Sequence, residues 1–343
     1  MRDLVSMLEE LCLLDGPSGR EDAVRDYILE RIRPFADCTV DPLGSIIAKK
    51  AGRARPKRNI MLDAHMDEVG LIITGATDDG FLRFDTLGGI LPQVLLGRRV
   101  RVGDQIGVIG CVPVHLLSAD QRDTLPEIGD MAIDIGAASR EEALKIVRLG
   151  DTAVFDSPFL RFGSGMLKGK AIDDRAGCAV LMRLLCDDAP FDFTATFTVQ
   201  EENGLVGAKA AAYTVAPDVA LVLESTTAAD LAGVAQENRV CRVGQGPVLS
   251  FMDLRTVYDR DLYQLAIETA QREAIPFQTK QAVAGGNNAG AIHASRGGVR
   301  TAAISLPCRY LHSASCVIHE EDLENTARLA RSLLYEVAMR EEI

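Results

Sequence analysis

Carboxylate and imidazole side chains stand at or just beyond the ends of several predicted strands in this chain. These residues are His65, Asp67, Glu201, Glu202, Glu224 and His312, and an adjacent pair, Asp173 and Asp174, opens a predicted helix. The carboxyl ends of the strands form the edge at which an open α/β sheet places its active site. Two histidines, one shared aspartate and one or two glutamates form the ligand set of a two-metal hydrolase. The pattern therefore predicts a hydrolytic metal site at this edge.

The pair Glu201 and Glu202 directly follows the β-forming run 193–200 and precedes Asn203 and Gly204. Neighbouring side chains of a regular strand point to opposite faces, so both carboxylates can reach one site only where the strand gives way to a turn. One carboxylate could then bind metal while the other acts as a general base. A solvated loop is the alternative interpretation of this pair.

The remaining candidates each have a structural alternative. A ligating histidine usually donates its second ring N–H to a carboxylate, and Asp67 lies two residues after His65. A local polar turn would explain the same pair. Asp173 could bridge two cations about 3.5–4 Å apart, or it could only cap the following helix. Glu224 is a single acid at a predicted strand end, and His312 lies in a short loop after a predicted buried strand.

Other hydrolytic chemistries fit the sequence less well. Two carboxylates could serve as the acid and the nucleophile of a glycosidase, but the chain contains no tryptophan to line a sugar-binding groove. The sequence has no G-x-S-x-G segment of a serine hydrolase and no HExxH motif of a single-zinc protease. A metal-dependent hydrolase is therefore the favoured class.

The composition predicts a globular cytoplasmic protein with neither nucleic-acid nor membrane partners. The 343 residues are 47% apolar, which is enough for a large core and for two domains. A net charge of −12 without a Lys/Arg block disfavours nucleic-acid binding. No apolar run approaches the ~18 residues of a membrane span, and the amphipathic segment 1–10 does not resemble a signal peptide. The eight cysteines include no CxxC pair, which indicates buried free thiols in a reducing compartment.

The order of predicted elements indicates an α/β fold with a β-rich insertion. Capping boxes at Ser18 to Glu21 and at Ser139 to Ala143 predict two helix starts. Short β-like pieces and glycine turns fill residues 69–161 and suggest a small barrel or sandwich. Elsewhere strands alternate with helices; the strands are expected near 46–48, 59–64, 193–200, 219–224, 247–252 and 299–306, and the helices near 18–33, 174–186, 204–213, 260–273 and 321–340.

We therefore expect a doubly wound, mostly parallel sheet with helices on both faces. In this interpretation residues 1–68 and 162–343 form one α/β domain that carries the predicted metal site. Residues 69–161 form an inserted β-barrel-like domain.

Four segments in this order resemble the signature segments of the glutamyl aminopeptidase, or tetrahedral (TET), family of two-metal aminopeptidases. They are Asp63-Ala-His-Met-Asp-Glu-Val-Gly70, Lys168-Gly-Lys-Ala-Ile-Asp-Asp-Arg-Ala-Gly177, Thr198-Val-Gln-Glu-Glu-Asn-Gly204 and Arg309-Tyr-Leu-His-Ser313. Some members of this family carry an endoglucanase or cellulase label. The resemblance covers nearly the whole chain, including the insertion. Two departures are Asn287-Asn288, where Thr-Asp is expected, and the lack of a proline after His312-Ser313.

The resemblance implies a role for each candidate residue. The implied roles are first-metal ligand for His65 and Glu224, orientation of His65 for Asp67, bridging of both metals for Asp173, general base for Glu201, and second-metal ligand for Glu202 and His312. It also implies a cis peptide bond between Asp173 and Asp174. Neither departure falls on one of these residues.

The resemblance implies a metallo-aminopeptidase that removes N-terminal residues from short peptides. Two divalent ions, zinc or cobalt, would activate a water molecule for attack on the first peptide bond. The resemblance also implies that residues 1–68 and 162–343 are the catalytic metallopeptidase domain and that the insertion 69–161 serves dimerisation and substrate access. It further implies dimers that assemble into a dodecamer. The alternatives are a deacylase or carboxypeptidase on the same type of fold, and a scaffold that has lost its activity.

Overall fold

The computed structural model of the protein describes residues 3–340. The helices of this part are α1 Leu4–Leu13, α2 Asp22–Ile32, α3 Ala119–Arg122, α4 Arg140–Ile146, α5 Ile172–Cys186, α6 Val206–Val215, α7 Arg260–Arg272, α8 Ala289–Ile292 and α9 Glu320–Met339. The strands are β1 Asp37–Val40, β2 Ile46–Lys50, β3 Ile60–His65, β4 Gly70–Ala76, β5 Leu82–Leu87, β6 Arg99–Val102, β7 Gln105–Cys111, β8 Met131–Asp134, β9 Thr152–Phe155, β10 Leu160–Phe162, β11 Met166–Gly169, β12 Phe193–Thr198, β13 Val219–Thr227, β14 Val248–Leu249, β15 Gln278–Thr279, β16 Arg300–Cys308 and β17 Cys316–His319.

The largest sheet has eight strands in the order β1-β2-β12-β3-β13-β16-β14-β15. Its four central strands, β12, β3, β13 and β16, run parallel to one another. Strand β2 joins β1 and β12 antiparallel, and β14 joins β16 antiparallel, so the sheet as a whole is mixed. The predicted α/β class is confirmed.

Alternating side chains of the central strands enter different hydrophobic clusters, as the period of two in a strand requires. On β3, Ile60 and Leu62 join the cluster that includes helices α1, α2, α5 and α9, whereas Met61 joins the cluster of α6 and α8. On β13, Leu221 and Val222 divide in the same way. Helices therefore cover both faces of the central strands, and the carboxyl ends of these strands share one edge.

Residues 70–155 contain a closed barrel in the strand order β4-β5-β8-β7-β6-β9. Its neighbouring strands pair antiparallel. Its interior is a separate cluster that includes Leu71, Ile73, Val100 and Ile133. Closure leaves none of these six strands as an unpaired edge.

One of the two predicted capping boxes is wrong. The N-cap of α2 is Glu21, and no side chain caps this helix. Ser18 instead donates its hydroxyl to Asp67 at 2.5 Å, and Glu21 accepts the N–H groups of Gly19 and Gln200. The Ser18 contact to Asp67 and the Glu21 contact to Gln200 join segments that are distant in sequence, which the local pattern does not reveal.

At the second predicted box the helix start and the Ser139 cap are confirmed, but the reciprocal bond goes to the residue before the N-cap. Ser139 accepts the Glu142 N–H at 3.3 Å, and the Glu142 carboxylate accepts the Ala138 N–H at 2.8 Å. All eight cysteines lie within the described part of the chain, and each of them is free. Within residues 3–340, no helix combines the length and the apolar character that crossing a membrane requires.

Candidate metal centre

The predicted site residues come together at the carboxyl edge of the central strands. His65 is the last residue of β3, Glu201 and Glu202 lie in the turn between β12 and α6, and His312 lies in the turn between β16 and β17. Asp173 stands in the first turn of α5. Glu224 differs from the expectation, because β13 continues to Thr227, three residues beyond it.

These side chains form two groups that share Asp173. In the first group, His65 Nε2 lies 3.5 Å from Asp173 Oδ1 and 3.5 Å from Glu224 Oε1. In the second group, His312 Nε2 lies 3.5 Å from Asp173 Oδ2 and 3.4 Å from Glu202 Oε1. Each oxygen of the Asp173 carboxylate thus faces a different histidine, which is the arrangement of a bridging ligand.

The donor set fits divalent metal ions. When ligands bind a metal tetrahedrally at about 2.0–2.1 Å, neighbouring donor atoms stand about 3.3 Å apart, close to the spacings observed here. Asp173 Oδ1 is buried and accepts no hydrogen bond from the described residues. Imidazole nitrogen and carboxylate oxygen together suit zinc, cobalt and similar ions. The site can therefore hold a cation on each side of Asp173.

Asp67 contacts both His65 and the turn that carries Glu201 and Glu202. His65 Nδ1 lies 3.1 Å from the backbone carbonyl oxygen of Asp67 and 3.3 Å from its Oδ1, so Nε2 is the ring nitrogen that faces Asp173 and Glu224. The same carboxylate accepts the backbone N–H groups of Glu201 at 2.9 Å and Glu202 at 3.1 Å. Asp67 is fully buried, so these contacts are not exchanged with water. One carboxylate therefore orients a histidine and fixes the turn that carries both glutamates.

His312 is oriented by the segment that follows β5. Its Nδ1 lies 2.8 Å from the carbonyl oxygen of Gly89, so Nδ1 carries the proton and Nε2 is free to bind a metal. His312 has a positive φ of 57°, and so does Tyr310 with 59°. Such left-handed turns are unusual for residues other than glycine and occur where the surrounding structure holds them.

The pKa values of the three glutamates in the site are raised, as expected for a crowded set of buried carboxylates. Burial raises the pKa of Glu201 to about 7 and that of Glu202 to about 8, although nearby histidines lower both. Burial also raises the pKa of Glu224 well above 4.5. Bound cations would remove this penalty, because they stabilise the ionised form.

The pKa values of the two histidines in the site are also raised, which favours their charged form. Burial alone would lower their pKa values, but Asp173 and Glu202 raise the pKa of His312 to about 10. Glu224, Asp173 and Asp67 raise the pKa of His65 well above 6.5. The positive charge that the carboxylates demand is the charge that a metal ion would supply in place of these protons.

Asp174 belongs to the site and was not predicted as a site residue. Its donor atoms lie within 4.8 Å of those of Asp173 and Glu224. Its Oδ1 accepts the Gly177 N–H at 2.9 Å, and its buried Oδ2 has no hydrogen-bond partner among the described residues. The sequence signal was present, since two adjacent acids open the helix, but it fitted a helix cap equally well. The peptide bond between Asp173 and Asp174 is cis, as the resemblance implied.

A cavity of about 660 Å³ opens beside the metal site. Its lining includes Gly89, Leu91 and Val94 as well as residues 253–255 and 284–287. A volume of this size accommodates a small organic ligand or the end of a peptide.

A two-histidine, multi-carboxylate site at the carboxyl edge of an α/β sheet, next to a peptide-sized cavity, defines a metal-dependent hydrolase. The model of the M42 glutamyl aminopeptidase family matches residues 44–329. The chain belongs to this family, and its predicted class of metallo-aminopeptidase is confirmed. Family membership implies divalent metal ions.

This chain is similar along most of its length to three proteins of the kinds described next. The lysyl aminopeptidase of Pyrococcus furiosus is 32% identical over 96% of each chain. The structure of the TET aminopeptidase from a marine sediment archaeon of the Thaumarchaeota is 38% identical with a TM-score of 0.93, covering 98% of this chain and 97% of that one. The TET1 peptidase of Pyrococcus horikoshii, described as able to assemble into a tetrahedron or a large octahedral shell, is 35% identical with a TM-score of 0.85, covering 96% and 99%.

Proposed function

We propose that the protein removes N-terminal residues from short peptides with two divalent metal ions, zinc or cobalt, bound on either side of Asp173. The observation that carries this proposal is the bridging geometry, in which both oxygens of Asp173 lie 3.5 Å from a histidine Nε2. His65 and Glu224 would hold one ion, and Glu202 and His312 the other. When bound, these ions polarise the scissile carbonyl and make a water molecule more acidic.

Glu201 is the general base in this proposal. Its carboxylate lines the cavity and is not part of either histidine-centred group. It would take the proton from the attacking water and pass it to the leaving amine, which keeps the proton count balanced. The Asp67 contact to its backbone N–H fixes the turn from which this carboxylate reaches the cavity. Asp67 thereby orients both the base and His65.

The division of the chain into units is part of the same proposal. Residues 1–68 and 162–343 would form the doubly wound catalytic domain, and residues 69–161 the inserted domain that serves dimerisation and substrate access. The closed barrel of residues 70–155 and its separate hydrophobic cluster support this division. Assembly of dimers into a dodecamer would be consistent with the shell-forming relative from Pyrococcus horikoshii. The eight free cysteines are consistent with the reducing cytoplasm.

The test is hydrolysis of aminoacyl-p-nitroanilides before and after chelation with EDTA, with zinc or cobalt added back. We expect activity that chelation removes, metal restores and Glu201→Gln abolishes while bound metal is retained. Glu268→Gln, an exposed position on α7, is the matched control and should remain active.

Two further substrates separate the alternatives. N-acetylated peptides should survive, since an aminopeptidase needs a free amine, whereas a deacylase would cleave them. Release of sugar from a β-glucan by metal-free protein would overturn the proposal. Full activity of Glu201→Gln would overturn the assignment of the base.

A further inference from the structure

Two adjacent asparagines, Asn287 and Asn288, directly precede α8 at the place where the sequence departs from the expected Thr-Asp. Their side chains are only 6% and 1% exposed. A buried amide group almost always forms hydrogen bonds. The partners of these two side chains therefore show which parts of the molecule the pair holds together.

Asn288 contacts the two strands beside His65. Its Nδ2 donates to Asp63 Oδ2 at 2.7 Å and to Thr198 Oγ1 at 2.9 Å, so both hydrogens of the amide are used. Asp63 lies two residues before His65 on the same face of β3, and Thr198 is the β12 residue that pairs with His65. An ionised aspartate at position 288 has no hydrogen to donate. The amide of Asn288 therefore ties the start of α8 to the strands at the level of His65.

Residues 251–258 form a turn, of which residues 253–255 line the cavity, and we call it the wall turn. Leu254 and Val257 in this turn are 70% and 74% exposed. Apart from the ring of Tyr258, which joins the cluster of α6 and α8, the turn buries little apolar surface. Hydrogen bonds of its buried polar side chains therefore determine its position. These side chains belong to Asp253, Thr256 and Tyr258.

Asn287 is joined to the wall turn through Tyr258. Asp253 accepts the backbone N–H groups of residues 255 and 256 at 2.7 Å each and the Tyr258 hydroxyl at 2.5 Å. Burial and the neighbouring Asp253 carboxylate raise the pKa of Tyr258, so its hydroxyl keeps its proton and acts as the donor. The same hydroxyl accepts Asn287 Nδ2 at 3.1 Å, and Asn287 Oδ1 accepts the Ala289 N–H at 2.9 Å. A continuous chain of hydrogen bonds thus leads from the wall turn to α8.

The two contacts meet at a single peptide unit, since the α-carbons of neighbouring residues stand about 3.8 Å apart. A further hydrogen bond, from the Leu254 N–H to the Gly285 carbonyl at 2.9 Å, leads from the wall turn to the same segment. It does not replace the contact of Asn288 with the strands. A short polar path therefore joins the cavity lining to the strand that ends at His65. It runs through Asp253, Tyr258, Asn287, Asn288 and Asp63.

We propose that Asn287 and Asn288 are positioning residues that hold the wall turn in a fixed place relative to His65. This inference rests on the proposed aminopeptidase function, because the cavity that would hold the substrate is lined both by the wall turn and by residues of the candidate metal site. Loss of the contact on the side of the wall turn should weaken substrate binding. Loss of the contact on the side of the strands should weaken substrate binding and metal binding together.

The test measures KM for the p-nitroanilide that wild type cleaves fastest, and zinc affinity by competition with a chelator. Tyr258→Phe removes the hydroxyl between Asp253 and Asn287, and we expect KM to rise about 3- to 10-fold, the size of one hydrogen bond, with kcat and zinc affinity within about twofold of wild type. Asn288→Leu roughly keeps the volume and removes both donations. It should raise KM by a similar factor and weaken zinc binding about tenfold. The double variant should have a KM within about twofold of the larger single effect, because both changes break one path.

Thr196→Val is the matched control. Thr196 is buried like Asn288 and donates to the other oxygen of Asp63 at 2.6 Å, but its loss leaves the contact between α8 and the strands in place. We expect this variant to be less stable than wild type in urea unfolding of chelated protein, with KM within about twofold of wild type. If Asn288→Leu does not fold, Thr198→Val takes its place, because it keeps the shape of the side chain and removes the hydroxyl that Asn288 contacts.

Three outcomes would overturn the inference. They are an unchanged KM in Tyr258→Phe and Asn288→Leu, effects on KM that multiply in the double variant, and a rise in KM of the same size in Thr196→Val, which would trace the effect to lost stability. Wild type that cleaves no free-amine substrate would refute the aminopeptidase function instead. Zinc affinity then decides separately: a tenfold loss in Asn288→Leu supports the positioning role, and an unchanged affinity refutes it.

Discussion

Arg175 links two segments that carry proposed ligands of the first metal. Its replacement tests directly how these segments are held together. The residue is fully buried, two positions after Asp173. Its guanidinium donates to the backbone carbonyls of Met66 at 2.5 Å, Leu11 at 2.8 Å and Gly16 at 3.3 Å. Met66 lies between His65 and Asp67, so this one side chain connects α5 and α1 to the metal-binding turn.

The expected cost follows from these contacts. Arg175→Met roughly keeps the volume but leaves three buried carbonyls without this donor, and it leaves the carboxylate of Glu68, 3.7 Å away, with less positive charge. A hydrogen bond to a charged group contributes about 1.5–3 kcal/mol, and three such bonds are lost. Glu68 keeps its closer partner Lys170, at 2.6 Å, so the lost ion pair adds little to the cost. Because neighbouring terms do not add, we expect the free energy of unfolding to fall by about 3–5 kcal/mol.

Urea unfolding of metal-free protein measures this difference. With an m-value of roughly 3 kcal/mol/M, the midpoint should fall by about 1–1.7 M. Chelated samples at one protein concentration keep metal binding and assembly from contributing to the comparison. Arg183→Met on the same helix is the control, because Arg183 pairs with a half-exposed Glu324 at the surface and should cost at most about 1 kcal/mol.

Equal midpoints for Arg175→Met and Arg183→Met would refute the reasoning. If Arg175→Met does not fold, Arg175→Lys decides the matter. It keeps the charge but cannot reach three carbonyls at once, so we expect an intermediate loss of stability. A wild-type midpoint for Arg175→Lys would show that the charge alone, and not the triple contact, is what matters.

Three further predictions concern other parts of the structure. Asp67→Asn should weaken metal binding about 10- to 100-fold in a chelator competition, because it disturbs the orientation of His65; unchanged affinity would exclude that role. Chelation should lower the thermal midpoint, since the metal stabilises only the folded state, and a midpoint indifferent to EDTA would argue against an occupied centre. Burial alone would raise the pKa of Asp259, but the contact with Arg300 holds this pKa below 3.8. The ion pair therefore stabilises the fold above pH 3.8. This stabilisation is lost as the pH falls through the lower pKa that Asp259 has in the folded protein. Asp259→Asn should therefore cost about 1 kcal/mol at pH 7 and progressively less as the pH falls below 3.8, and a cost independent of pH would contradict this assignment.

Residue types at strand ends predicted where most side chains of the candidate site would meet, because the topology of an α/β sheet brings the carboxyl ends of parallel strands to one edge. His65, Glu202 and His312 meet Asp173 there as expected. Glu224 joins the same cluster, but its local setting differs from the prediction, since β13 extends beyond it. A run of apolar residues that ends at a polar one need not end the strand, because the ladder continues wherever the backbone still pairs.

Contacts that join segments distant in sequence could not be predicted from local patterns. The Ser18 hydroxyl fitted a capping box, yet it donates to Asp67, 49 residues away. A serine before a helix satisfies local and distant acceptors equally well, so sequence alone does not choose between them. Arg175 gave no signal either, because a buried arginine whose partners are backbone carbonyls has no side-chain pattern to reveal it.

The part of the site that comes from the β-rich segment shows why the metal centre and the barrel are physically connected. Gly88 follows β5 with a positive φ of 83°, and a Cβ there would stand 3.1 Å from the Glu202 Cβ. Glycine is therefore needed both for the turn and for the approach. The next residue, Gly89, gives His312 its hydrogen-bond acceptor and so selects the ring nitrogen that can bind metal. The orientation of His312, a proposed metal ligand, thus depends on a segment outside the main sheet, and a displacement of that segment would change the candidate metal site and the cavity wall together.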